Sequence, residues 1–230
     1  MARFTIINTT LVGTGAIDSI VTRRPERNET GYLVCKRAID IVGAACALLV
    51  LAPVIALVAL WIRLDSAGPA FFSQVRVGEG KREFRCWKLR SMYIDAEQRK
   101  AELEAQNEMN GGVLFKMKRD PRITRVGRFI RKASIDELPQ LWNVLRGDMS
   151  LVGPRPAIPS EVAQYTPYEC GRLQVKPGIT CLWQVSGRSD LPFDRQVALD
   201  IDYAKQRSVL LDLEILLRTV PAVLTARGAY

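Results

Sequence analysis

Ile41–Ile62 reads IVGAACALLVLAPVIALVALWI, 22 consecutive residues without a charge. The hydrocarbon core of a bilayer takes about 20 such residues as a helix. Lys36, Arg37 and Asp40 precede the run and Arg63 closes it. Three arrangements compete. A helix buried in a soluble core is rarely apolar all round over this length. A single span is the ordinary outcome. A re-entrant segment, entering and leaving by one face, is the third, with Pro53 at the break. Proline removes the bond to the Leu49 carbonyl, which lipid tolerates only where another group satisfies it.

The flanks bear on that choice. Residues 1–38 carry six Lys/Arg against three acids, and residues 63–100 nine against five. A spanning helix has its basic residues mainly on the cytoplasmic side. Two basic flanks favour both ends on the cytoplasmic face. Residues 1–30 are polar, show little periodicity and read as a variable arm. They lack the apolar core of a signal peptide.

Beyond the run, Phe71–Val77 and Glu83–Trp87 alternate as the arms of a β-hairpin around Gly78-Glu79-Gly80. Residues 91–109 read as a polar helix stopped by Asn110-Gly111-Gly112. Residues 116–132 hold eight basic residues and one acid. Ile123, Val126, Phe129 and Ile130 recur there at helical spacing, predicting a basic amphipathic helix. Such a helix is either a solvated face or a surface for anionic headgroups and phosphates. Residues 157–180 hold two short helical pieces around Pro159 and Pro167. Trp183–Arg188 reads as a short extended piece, 193–208 as an amphipathic helix. Residues 209–227 form an apolar segment suited to the membrane interface or to packing on the first run.

Ser134–Pro156 reads SIDELPQLWNVLRGDMSLVGPRP. Asp136 and Glu137 sit just before Pro139. If Pro139 opens the following helix, the two carboxylates lie in the turn that feeds it. The other reading is structural: Ser134-x-x-Glu137 spells a capping box. A helix starting at Ser134 would place Pro139 in its second turn, costing the bond to the Ile135 carbonyl. Arg155, between Pro154 and Pro156, has restricted backbone freedom. A fixed guanidinium suits phosphate oxygens, while an isolated Pro-Arg-Pro is also an ordinary surface turn.

Composition narrows the chemistry. The net charge is +9 with no histidine, which removes histidine bases, triads and metal ligands. Five scattered cysteines without a Cys-x-x-Cys pair argue against zinc and fit reduced thiols. What remains is carboxylate, Lys and Arg chemistry beside an acidic partner. A carboxylate can be a covalent nucleophile, and its neighbour can hold Mg²⁺ together with substrate phosphates. With Lys88, Arg131 and Arg155 as cations, the pattern suggests phosphoryl chemistry at a lipid surface.

These residues also carry a resemblance. Lys36-Arg37-x-x-Asp40, Leu64-Asp65-Ser66-x-Gly68-Pro69-x-x-Phe72-x-Gln74 and Lys88-Leu89-Arg90-Ser91-Met92 follow in order. So do Asp120-Pro121-Arg122-Ile123-Thr124-x-x-Gly127, Ser134–Gln140, Gly147–Pro156 and Val175–Thr180. From Lys36 onward the chain resembles the bacterial sugar transferases, monotopic polyprenyl-phosphate phosphoglycosyl transferases. Two positions depart: Ala52-Pro53 stands where Ser-Pro is frequent, and Cys181 where glycine is usual.

The resemblance implies an α+β, mostly helical fold. A variable arm (1–32) precedes a Pro-broken re-entrant helix (33–66) and a catalytic domain (67–230) with a small hairpin and membrane-surface amphipathic helices. It implies transfer of a sugar 1-phosphate from a UDP-sugar to undecaprenyl phosphate at the cytoplasmic face of the bacterial inner membrane, with release of UMP. Asp136 would be the nucleophile and Glu137 the Mg²⁺ ligand. Arg155 would bind phosphate, with Lys88 and Arg131 beside it and Asp200 in the polar surround. Trp183–Ser189 and the ending Gly228–Tyr230 look like the hexose-phosphate branch that primes exopolysaccharide repeats, galactose before glucose. A homo-oligomer is left open. The rival class is a membrane-anchored basic lipid-binding or scaffold protein. A nucleic-acid reader fits the charge but not the apolar run.

Overall fold

A computed structural model describes residues 29–103, 120–187 and 191–225. The expected arm up to residue 28, the stop at Asn110–Gly112, the basic residues 116–119, Arg188 and the C-terminal Gly228–Tyr230 lie outside them. Helix α1, Glu29–Asp65, is 37 residues long, about 55 Å at helical rise. The sequence predicts a break at Pro53; the helix instead continues through it. One lost hydrogen bond does not end a ladder that continues on both sides.

An all-apolar run hides its own periodicity, and the structure reveals it. Asp40, Ala44, Val58 and Ile62 are buried, and Ala47, Leu48, Leu51, Ile55 and Ala59 pack beside them. Their spacing of three and four is one helical stripe. Val42, Leu49, Val50, Leu57, Leu60 and Leu64 stay exposed on the rest of the surface.

The hairpin forms as expected. Strands β1 (Phe71–Val77) and β2 (Glu83–Leu89) pair antiparallel, with Phe72 opposite Lys88. A polar helix α2 follows at Ala96–Leu103. The predicted basic helix is shorter than its charge run. Thr124 caps α3 (Arg125–Lys132), its Oγ1 accepting from the Gly127 amide at 2.9 Å. Upstream, Asp120 instead binds Arg122. Val126 and Ile130 of α3 turn into the protein against Val58 and Ile62 of α1. A methyl on Gly127 would stand 1.9 Å from the Ser91 carbonyl oxygen, so only glycine lets α3 lie this close to the Lys88–Met92 segment.

Helix α4 (Gln140–Arg146) ends at Gly147 with φ 88°, the left-handed cap that favours glycine. Two short parallel strands, β3 (Ser150–Val152) and β4 (Gly178–Thr180), then pair Ser150 with Gly178 and Val152 with Thr180. Short helix α5 is Pro159–Val162, and a 3-10 turn spans Glu169–Gln174. Helix α6 is Leu182–Ser186. This corrects the expected extended piece at Trp183–Arg188: Leu182 and Val185 are drawn by a helical turn onto Val152, Val175, Tyr203 and Ile215. Helices α7 (Phe193–Gln206) and α8 (Val209–Thr225) complete the order, α8 also running through a proline, Pro221.

A polar seam fastens α1 to the rest. Lys36 Nζ donates to Asp212 Oδ2 and the Val152 carbonyl, both at 2.9 Å, and Tyr203 Oη donates to Asp212 Oδ1 at 2.7 Å. Arg37 donates to the carbonyls of Val144 and Leu145, capping α4. Asp40 Oδ1 accepts from Ser150 Oγ and the Leu151 amide, each at 2.9 Å. Thus Lys36-Arg37-x-x-Asp40 is a latch. Asp212→Asn leaves Lys36 with no carboxylate in this seam. A loss of about 2 kcal/mol is expected, read as a lowered unfolding temperature; an unchanged transition would show that the seam adds nothing.

Candidate active site

Ser134 decides how the carboxylates are presented. It sits at φ 56°, ψ 20°, and its side chain makes no capping bond. The capping-box reading therefore fails. Ile135–Glu137 form a single 3-10 turn, and Pro139 stands at the N-cap of α4, one place earlier than expected. Asp136 and Glu137 thus lie in the turn feeding the helix.

Glu137 is engaged by cations. Its Oε1 accepts from Lys88 Nζ at 2.9 Å and from Arg155 Nη1 at 3.0 Å. Strand β2 supplies Lys88, and the loop after β3 supplies Arg155. That loop is set by two glycines back to back: the Gly178 amide donates to the Pro154 carbonyl at 2.9 Å, and the Gly153 amide to Thr180 at 3.0 Å. Asp136 is 8 % exposed, and its carboxylate has no hydrogen-bond partner among the described residues.

The two carboxyls are pushed apart in acidity. Burial raises Asp136, with Glu137's charge adding and Lys88, Arg131 and Arg155 opposing, to about 6. Burial also works against charge on Glu137, but Lys88 and Arg155 outweigh it and hold that carboxyl well below the usual range. One carboxylate is fixed by cations and the other is left free, the usual basis for dividing roles.

Both acids line a cavity of about 800 Å³ that also takes in Lys88, Arg131 and Arg155. Every candidate named from sequence as catalytic or substrate-binding is therefore in one place. Asp200 is not on the wall. It is fully buried and ion-paired to Arg172, which is. Burial pushes Asp200 up to about 6 despite that partner. Arg76, Arg172 and Trp183 also line the cavity and were not singled out. For Arg76 the signal was present in the alternation Phe72-Gln74-Arg76, which shares a face with Lys88. Phe71, Phe72, Tyr93 and Ile94 form an exposed apolar wall.

Among the described residues no group of three or more metal-ligating side chains exists. Mg²⁺ does not need one, since it binds through one or two carboxylates plus phosphates and water. The free Asp136 carboxylate and Glu137 Oε2, which accepts no bond among the described residues, match that requirement.

A family profile described as bacterial sugar transferase matches residues 31–226. The chain is 48 % identical over 212 residues to a galactosyl transferase, CpsE, of Streptococcus agalactiae, covering 92 % of this chain and 47 % of that protein. It is 45 % identical over 203 residues to a UDP-glucose:undecaprenyl-phosphate glucose-1-phosphate transferase of Caulobacter vibrioides, covering 85 % and 72 %. The exopolysaccharide production protein ExoY of Rhizobium meliloti is 37 % identical over 202 residues, covering 86 % and 88 %. Against several longer relatives the chain spans about half their length. With the profile matched over nearly all of the described residues, the chain belongs to the bacterial sugar transferase family.

Proposed function

We propose that the protein transfers a hexose 1-phosphate, galactose 1-phosphate favoured, from a UDP-sugar to undecaprenyl phosphate and releases UMP, as the first step of exopolysaccharide repeat assembly. The observation that carries this reading is Asp136: a buried carboxylate with no hydrogen bond among the described residues, facing a cavity with Lys88, Arg131 and Arg155. A free carboxylate among cations is placed to attack a phosphorus. A relative named for galactose and one named for glucose share the chain's sequence, so these are the donors to compare.

In the first step an Asp136 oxygen bonds to the β-phosphorus. The bond from that phosphorus to the bridging oxygen breaks, and UMP departs with the electron pair. In the second step an undecaprenyl phosphate oxygen attacks the same phosphorus, and the Asp136 carboxylate is expelled. Lys88, Arg131 and Arg155 neutralise charge on the transferring group. Glu137 would hold Mg²⁺, which supplies charge neutralisation at the diphosphate.

The same reading places the protein at the cytoplasmic face of the inner membrane, with both ends of α1 on one side. Asp40 and Ile62 both touch the rest of the protein. They are about 33 Å apart along the helix, as far as the bilayer core is thick. Contacts at both levels support a helix whose two ends stay on the side of the domain. The exposed apolar stripe of α1 and Leu210, Leu213, Leu217, Val220 and Leu224 of α8 would meet lipid.

The test is UMP release from UDP-galactose and UDP-glucose with undecaprenyl phosphate and Mg²⁺. Release from one donor supports the reading and names the sugar. No release from membrane-bound, folded protein sinks it and leaves the scaffold.

A further inference from the structure

We infer that Arg76 binds the phosphate of the nucleotide half of the donor, the group that departs with UMP. This rests on the transferase reading and adds a residue that the family motifs quoted above do not include.

Arg76 lies on β1. The register pairs Phe72 with Lys88, and the two-residue period of a strand puts Phe72, Gln74 and Arg76 on the face of Lys88. Its guanidinium donates to the Pro156 carbonyl at 2.9 Å and to Gln74 Oε1 at 2.7 Å. Both acceptors are neutral. Its Nε is buried and has no partner. Among the described residues it forms no ion pair. Lys88 and Arg155 share Glu137, and Arg172 has Asp200. The acids that feel Arg76's charge are Glu161 and Glu137. Glu161 Oε2 is occupied by the Ile158 amide, and Glu137 by Lys88 and Arg155.

A guanidinium sunk into a cavity without a counter-ion is unfavourable until an anion arrives. Burial and the neighbouring Arg155 both lower its pKa, the same imbalance seen from the proton's side. The position identifies the anion. Lys88, Arg131 and Arg155 gather around Asp136 and serve the phosphorus it attacks. Arg76 is held at Pro156, the residue after Arg155, so its charge stands one step along the wall. A diphosphate presents its second phosphate there, and the planar fork of arginine suits it.

The competing role is a brace: Arg76 could merely hold Pro156, and through it Arg155. The two half-reactions separate these. Only the donor step handles the nucleotide phosphate, whereas Arg155 is needed in both. Full-length Arg76→Gln and Arg76→Lys in phospholipid vesicles are mixed with radiolabelled UDP-sugar without acceptor, and adduct formation on Asp136 is timed. The adduct is then freed of nucleotide and given undecaprenyl phosphate, or UMP to drive the step backward.

For Arg76→Gln we expect adduct formation and its reversal by UMP to slow roughly 10- to 100-fold, the worth of a hydrogen bond to a charged group. Transfer from adduct to acceptor stays at the wild-type rate, and Arg76→Lys recovers part of the donor step. Equal slowing of both half-reactions establishes the brace and overturns the inference, as does a donor step that does not change. If Arg76→Gln shows no cooperative unfolding, Arg76→Lys carries the same comparison. Wild-type protein that forms no adduct with any UDP-sugar overturns the transferase reading itself, a result visible before any variant is made.

Discussion

Asp136→Asn is expected to abolish UMP release and, at pH 7, to raise the unfolding temperature. The first effect follows from replacing the attacking oxygen by an amide, which costs more than about a thousandfold where a nucleophile acts within a set of residues. The second follows from acidity. Asp136 lies at about 6 in the folded protein, above its ordinary 3.8, so the folded state holds its proton more tightly than the unfolded chain. Stability from this group is therefore full below the unfolded value and is lost as pH rises through about 6. At pH 7 the buried charge costs on the order of a few kcal/mol, at about 1.4 for each unit of difference. Asparagine removes that cost, as active-site substitutions often do. Glu137 runs the other way. Its stabilisation is present above its ordinary range and is lost on acidification, because Lys88 and Arg155 hold it charged. Thermal scans of both proteins from pH 4 to pH 8 check the sign. An Asp136→Asn protein that is less stable throughout would show that the carboxylate is structural.

The same acidity sets a rate. An attacking carboxylate must be unprotonated, so kcat/KM for the UDP-sugar should fall about tenfold per unit as pH drops below about 6. A flat profile down to pH 5 would contradict Asp136 as nucleophile.

Gly178→Ala is expected to be strongly destabilising for a change of a single methyl. Its Cβ would stand 2.0 Å from the Gly153 amide nitrogen and 2.6 Å from the Gly153 oxygen. Both are backbone, so no side chain can swing away. Gly153 faces the same limit from the other side, with Lys176's carbonyl oxygen at 2.2 Å from its would-be Cβ. Separating β3 from β4 loses the bonds that set Pro154–Pro156. We expect a loss of about 3 kcal/mol or more, or roughly 6–12 °C in unfolding temperature for a chain of this size. Activity should fall further than stability, because Arg155 shifts with the loop. A variant with the wild-type transition and full turnover would mean that the loop tolerates the separation.

The parts legible in the sequence were those with a local cause. The alternation of Phe71–Val77 and Glu83–Trp87 gave the hairpin. Pro139 placed Asp136 and Glu137 in a turn, and the structure shows why the competing cap fails: Ser134 is left-handed and binds nothing. What stayed hidden depends on three-dimensional neighbours. Which stripe of α1 is covered cannot be read where every position is apolar. Trp183–Arg188 looks extended alone, yet Leu182–Ser186 is helical because Leu182 and Val185 reach a distant cluster. The basic run 116–132 suggests a long helix, yet Asp120 binds Arg122 and Thr124 starts the helix late. Arg76 is unremarkable as one arginine among many until its lack of an acidic partner is visible.

The seam between Lys36 and Asp212 also sets an order of events during synthesis. Tyr32 and Asp212, bonded at 3.1 Å, are 180 residues apart in the chain. At roughly 5–20 residues per second, α1, which ends at Asp65, is complete about 7–30 s before its partner carboxylate is made. In the proposed membrane setting, the apolar run meets lipid during that interval, with the Lys36 ammonium still unpaired. Membrane capture therefore precedes closure of the latch, and a ribosome that stops before Asp212 leaves a chain that is anchored but not fastened.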